Sequence, residues 1–432
     1  MALPGVTTVL QDKFTSLTRT SVATGPSIVI IGYRDTPDDT NGISSLQPFL
    51  FSKESDVIAS YGMGSALHRG YLECLAGGGV NVSLLALPYG TVDADLTDTT
   101  ADNVFDAAFD ATAPAVPSII VPWGRGGHPQ EWNYAGATPD YPATSPYYAP
   151  QFGFVADNSS NPTQSLAVRV ANKMAQLTAD GNPVFAVMGL TPVTGTTGTA
   201  AATENVTASN LNAYLNFPNL VPSSDSNFNG CGPYLSIVAT EIRPITYPVN
   251  DPTGYPIQTG SSFGYSNGAA MYAGFVSTLS AYNAPTGKTP FNISSVRWLP
   301  TVTQQSVITI AGIVPLALNY LRQPTWIDAP TYASVGSDYE RLTTLRIVFD
   351  AIQLIRNAAV PFVGQGSTLA NRTAFDTAVS SSLRAMALSG AVTKSDYNIN
   401  YHPATNSAEV DLVLTPAFEI RTINISVSIN LA

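Results

Sequence analysis

Five short apolar runs, each stopped by turn residues, constrain this chain most. They are SIVII at 27–31, VNVSLLAL at 80–87, SIIV at 118–121, VFAVMGL at 184–190 and YLSIVA at 234–239. Runs of this length, apolar without interruption, suit strands covered on both faces. Helical stretches are expected between them at 52–62, 65–76, 163–179 and 267–282. Gly77, Gly78 and Gly79 close the second of these, as glycine does just past a helix end. The first 90 residues therefore read as strand, helices, strand. Residues 91–289 have a different texture, with Pro-, Thr- and Gly-rich loops between α/β elements. Segments 124–150 and 190–206 are too long for simple connections.

The last third carries two amphipathic helices. Ser337 and Glu340 have the spacing of a capping box. Behind them, Leu342, Leu345, Phe349, Ile352 and Ile355 form one stripe. Phe375, Ala378, Val379, Ser382, Leu383 and Met386 form a second, closed by Gly390. VDLVL at 410–414 reads as a strand before Pro416. Then Ile423, Ile425, Val427, Ile429 and Leu431 alternate with Thr422, Asn424, Ser426, Ser428 and Asn430. That period of two marks a strand with one apolar face. It is either an edge of the chain's own sheet or a strand donated to a neighbouring subunit, where main-chain pairing supplies affinity and side chains supply register. Residues 1–24 read as a polar arm with a short extended piece around Val6, Val9 and Leu10.

Composition narrows the function. Charged residues make up 11% of the 432, against about a quarter in ordinary soluble domains. A surface built on Ser, Thr, Asn and Gln is easier to bury in protein contacts, because less charge must be desolvated. The formal charge of −11 argues against a nucleic-acid face, which needs a basic patch. MALPGVTTVLQDKF lacks the pattern of a signal peptide, and the apolar runs are too short to span a bilayer. Cys74 and Cys231 are far apart and are expected to be free, buried thiols.

Three motifs invite a catalytic reading, and none carries one. Gly260-Ser261-Ser262-Phe263-Gly264 fits a nucleophile elbow centred on Ser262, but YPIQT before it is no buried strand, and His402 is the one downstream histidine. Gly287-Lys288-Thr289 ends like a phosphate-binding loop, but Tyr282 stands where the first glycine should be. The Trp123–His128 stretch is glycine-rich, but Pro129 stands where a dinucleotide loop needs its last glycine. The histidines, at 68, 128 and 402, are too dispersed for a metal cluster. No cofactor is expected, and the chain reads as no enzyme.

Three segments, taken in order, resemble the sheath proteins of contractile phage tails, a family shared with contractile bacteriocins and type VI-like injection machines. The first is SIVIIGYRDTP followed by SLQPFLFSKESDVIASYGMGSALHRGYLECLAGGGVNVSLLAL. The second is NGAAMYAGFVSTLSAYNAPTGKTPFNI. The third runs from AGIVPLALNYLRQPTW through YERLTTLRIVFDAIQLIRNAAVPFVGQ and RTAFDTAVSSSLRAMALSGAVTKSDYNI to LVLTPAFEIRTINISVSINL. Together they cover about half of the chain, and the middle region matches nothing in particular.

The resemblance implies an α+β core made by 25–90 and 290–420, interrupted by an inserted α/β domain at 91–289. It implies arms at 1–24 and 421–432 that pair with neighbouring subunits, through Val6, Val9 and Leu10 at one end and Ile423, Ile425, Val427, Ile429 and Leu431 at the other. It implies stacked hexameric rings around an inner tail tube, contraction by subunit rearrangement, and baseplate and neck or terminator proteins as further partners. The setting is a virion tail assembled in the host cytoplasm. Arg372 and Arg384, on the second C-terminal helix, are the expected tube-facing residues. The alternatives are a sheath from a non-viral injection system, a serine hydrolase using Ser262, and a different virion protein such as a tube or capsid subunit.

Overall fold

The computed structural model describes residues 27–34, 44–62, 65–89, 91, 103–124, 166–190, 222–240, 242–244, 267–290, 292–296, 299–319, 321–405 and 407–417. Each expected apolar run is a strand: β1 (Ile28–Gly32), β3 (Val82–Ala86), β4 (Ile119–Gly124), β5 (Phe185–Leu190) and β6 (Leu235–Ala239). They join β2 (Pro48–Leu50), β9 (Ile313–Leu318) and β10 (Pro324–Trp326) in one eight-stranded sheet of order β10-β9-β6-β5-β4-β1-β3-β2. The six inner strands pair in parallel, and the short edges β2 and β10 pair antiparallel. A separate antiparallel pair is formed by β7 (Ile242–Pro244) and β8 (Ile293–Val296).

The period of two along each strand sorts side chains to opposite faces. Ile28 and Ile30 face one core and Val29 and Ile31 the other. The first core is covered by α1 (Glu54–Tyr61), α2 (Ala66–Gly77) and α5 (Ala269–Ser277). The second is covered by α3 (Val104–Asp110), α4 (Leu166–Ala179) and Ile308 of α6 (Val302–Ile310). Helices on both faces explain why these strands are apolar throughout. β1 lies between β3 and β4, so the winding direction reverses there, as in doubly wound folds.

The sheet does not divide at 90 or 289. The described strands of 91–289 form no sheet of their own; β4, β5 and β6 sit between β1 and β9. Three described strands of the expected insertion, β4, β5 and β6, thus lie in the main sheet, and the rest of 91–289 lies in large part outside the described residues. The physical reason is α5, which packs its backbone against α2 and ties the two sequence regions into one core. A Cβ on Gly274 would lie 2.2 Å from the carbonyl oxygen of Cys74, and one on Gly77 would lie 2.1 Å from that of Met271. α2 ends at Gly77, one residue later than expected, with Gly78 in the left-handed conformation (φ 101°).

The structure corrects the expected capping box. The helix there, α7 (Leu342–Ala359), starts after Arg341 and has no side-chain cap. Ser337 Oγ accepts from the Tyr339 N–H at 3.2 Å and the Glu340 carboxylate accepts from the Gly336 N–H, closing a turn in place of a helix start. Residues 340 and 341 are held extended against 330 and 331, with the Thr331 N–H donating to the Glu340 carbonyl at 2.9 Å.

Candidate assembly surface

Beyond the sheet, the chain builds a smaller unit from α7, α8 (Leu369–Leu388), β11 (Val392–His402) and β12 (Ser407–Pro416). α7 anchors it. Arg346 is buried and donates to the carbonyls of Val276 at 3.2 Å, Asn283 at 3.4 Å and Leu279, closing the carboxyl end of α5. Burial pushes its guanidinium down to about 10, against the pull of nearby Asp350. Phe349 stacks on Tyr234, which immediately precedes β6, at 6.0 Å between ring centres. The unit therefore sits at the amino ends of the parallel strands, opposite the pole where β1, β4 and β5 end.

α8 buries only Phe375, Val379, Leu383 and Met386, a stripe at the spacing read from the sequence. On that stripe lies the hairpin β11–β12. Tyr397, Ile399, Tyr401, Ala408, Val410, Leu412 and Leu414 face the helices. Asp396, Asn398, Asn400, Glu409, Asp411 and Val413 face outward, and Val413 is 67% exposed. The Tyr397 hydroxyl donates to Asp376 at 3.1 Å, and Arg372 lies over the Tyr401 ring at 4.5 Å. Even the inward hairpin residues are only half-buried. Among the described residues no third strand joins the hairpin, so both outer edges carry main-chain groups outside the ladder. Leu369 and Leu388, at the two ends of α8, are 82% and 80% exposed.

The structure separates the two expected tube-facing residues. Arg372 is half-buried on Tyr401 and donates to Ser367 Oγ at 2.9 Å, whereas Arg384 is exposed. Twelve residues apart on a helix, they point about 120° from one another, so they form no single patch. The expected assembly residues Val6, Val9, Leu10, Ile423, Ile425, Val427, Ile429 and Leu431 lie outside the described residues, as does Ser262. The strand expected at 410–414 is longer, and its partner β11 was missed because VTKSDYNINYH holds no apolar run; its signal is the alternation of Tyr397, Ile399 and Tyr401 with polar residues.

The remaining motif residues are placed in the fold. Lys288 donates to the carbonyl of Ala284, and Gly287 pairs with Trp326 through its N–H at 2.7 Å. Trp123 is buried, donating to the Ala66 carbonyl at 2.8 Å. His68 is buried against Glu54 at 3.1 Å, and His402 is exposed beside Glu409 at 3.3 Å. Among the described residues no three potential metal ligands gather, and no helix is long and apolar enough to cross a membrane. Cys74 is buried as expected; Cys231 is only half-buried.

No family model matches the sequence, and no curated protein matches it. Solved structures do. A chain in the sixfold-symmetrised baseplate of the anti-feeding prophage aligns with a TM-score of 0.60 at 12% identity, over 94% of this chain and 93% of that one. A chain of the contracted helical sheath of the same system aligns at 0.58 and 12%, over 93% of each. The sheath tail protein from Listeria innocua aligns at 0.53 and 10%, over 96% of this chain and 97% of that one. The chain has the fold of contractile sheath proteins. The likeness extends over nearly the whole length, so the sheath fold includes both the eight-stranded sheet and the α7–α8–hairpin unit.

Proposed function

We propose that this protein is the structural, non-enzymatic subunit of a contractile sheath. Subunits assemble as stacked hexameric rings around an inner tail tube and rearrange to drive that tube through a target envelope. The observation that carries this reading is the full-length likeness to sheath chains, read with a two-stranded hairpin that no third strand joins among the described residues. Strand addition to an edge of that hairpin gives strong, directional pairing between subunits. The donors are the terminal segments, above all 422–431 with its strict alternation. The weakly charged surface lowers the desolvation cost of extensive contacts.

The stored energy lies in the packing difference between two lattice states, and subunits move as bodies tethered by their strands. Arg384, exposed on α8, and Arg372 nearer Tyr401 are the proposed tube contacts. Baseplate and neck or terminator proteins cap the stack. The proposed setting is a virion tail put together in the host cytoplasm. The sheath of a non-viral injection system is the second reading, supported by the likeness to the extracellular contractile injection system sheath at a TM-score of 0.56.

Electron microscopy of the purified protein tests the proposal. Sixfold rings or tubes with a hollow channel support it. Particles of another symmetry, or none across a wide concentration range, refute it.

A further inference from the structure

Two exposed valines flank the point where the chain enters the sheet. Ser27 leads into β1, which lies between β3 and β4. Its carbonyl accepts from the N–H groups of Ser118 at 2.9 Å and Ile119 at 3.2 Å, and the Ile28 N–H donates to the Asn81 carbonyl at 2.9 Å. Val116 and Val80 stand beside these bonds and are 50% and 69% exposed. One is on the β4 side and the other on the β3 side, so two strand spacings, about 10 Å, separate them.

Val116 has φ 45° and ψ 58°, in the left-handed region, at the end of the short turn Ala113–Ala115. Glycine or asparagine suits that conformation, and a β-branched residue is an outlier in it. Among the described residues Val116 is the one β-branched residue so placed. Such a conformation persists where its surroundings hold it, yet half of the Val116 surface faces outward.

Residues 1–26 reach the sheet at Ser27, so the last of them start between the two valines. Val22 is the one branched aliphatic side chain in 18–26, five residues before Ser27. Five residues span at most about 17 Å, which covers both valines. Gly25-Pro26 supplies the turn chemistry for the chain to fold back. No charged residue occurs in 20–26, 78–81 or 113–118, so covering the valines desolvates no ion.

We propose that residues 21–26 fold back over the amino ends of β1, β3 and β4 of their own subunit and seat Val22 between Val80 and Val116. This fixes the direction in which residues 1–20 leave the subunit. The packing stands on the geometry; the use of that direction in assembly rests on the sheath reading above.

Cysteine pairs in the full chain, in a Cys231→Ser background and at a dilution that keeps subunits apart, test this. A disulfide needs the two Cα atoms within about 7 Å. On mild oxidation, Val22→Cys with Val80→Cys or Val116→Cys should close a disulfide within one chain. The yield should be at least about tenfold that of Val22→Cys with Tyr89→Cys, which lies past the carboxyl end of β3. Melting gives a second reading. If Val22 covers Val116, Val116→Gly removes the contact and should lower the melting temperature by about 2 °C. If Val116 is bare, the change relieves the left-handed conformation and causes no fall. In a Val22→Ala background the fall should disappear.

Disulfides that join two chains assign the valines to a second copy and overturn the same-chain docking. Cross-linking at the Tyr89→Cys level for both valines, no fall in Val116→Gly, or a fall that persists in Val22→Ala overturns the contact itself. None of these readings needs rings or tubes to form, so the sheath reading stands or falls separately.

Discussion

The carboxylate of Glu73, on α2, accepts a hydrogen bond from the backbone N–H of Met271, 198 residues away, at 3.2 Å. Met271 lies in the first turn of α5, whose other end is closed by Arg346. An apolar helix buried on all sides thus has a carboxylate at its amino end and a guanidinium at its carboxyl end, each on the side its dipole favours. One comes from the first part of the sequence and the other from the last. This arrangement fixes the α7–α8–hairpin unit to the sheet.

Removing either cap leaves buried main-chain groups unpaired. Glu73→Ala and Arg346→Ala should each lower unfolding stability by about 3 kcal/mol. Urea denaturation measures this. A loss within the scatter of surface substitutions for both variants would remove α5 as the link.

The α2–α5 crossing depends on two glycines. Gly274→Ala and Gly77→Ala each force a methyl group into a backbone carbonyl and should cost about 3 kcal/mol. Gly366→Ala meets nothing within 4 Å and should stay within about 0.5 kcal/mol of the parent. Thermal melts of the three proteins check the contrast.

The sequence showed the strands of this core because burial on both faces removes all polar residues from them. It did not show their order. That β1 separates β3 from β4 depends on pairings between distant segments, which no local pattern carries. β9 escaped because Pro315 interrupts IVPLAL. The start of α7 was misplaced because Ser337 and Glu340 satisfy a local pattern that the pairing of Arg341 with Pro330 overrides. Of the assembly surface, the stripe on α8 was legible, since its period is local. The anchoring role of Arg346 was not, because its three acceptors lie more than 60 residues away.

His68 gives the core a pH dependence. Burial lowers its basicity, and its bond to Glu54 opposes that effect. The folded state therefore favours the neutral ring. Its contribution is complete above the unfolded value of about 6.5 and is lost as pH falls below it. His68→Gln should flatten the fall in urea midpoint between about pH 7 and pH 5.5. An equal slope in parent and variant would contradict the assignment.

The two arginines of α8 should behave differently. Arg372→Ala removes the contact with Tyr401 and should cost about 0.5–1 kcal/mol. Arg384→Ala should leave the melting temperature unchanged. Charge reversal at Arg384 should weaken co-assembly with the tube protein while self-assembly persists. Co-sedimentation with tubes reads this; unchanged binding would move the tube contact elsewhere.

Residues 422–431 are proposed to join subunits and not to complete their own subunit's sheet. Removing residues 422–432 tests it, with sedimentation velocity and melting measured on the same sample beside the full chain. The full chain should form rings or tubes, and the truncated chain should sediment as a monomer with an unchanged melting temperature. A truncated chain that still assembles, or one that unfolds, would contradict it.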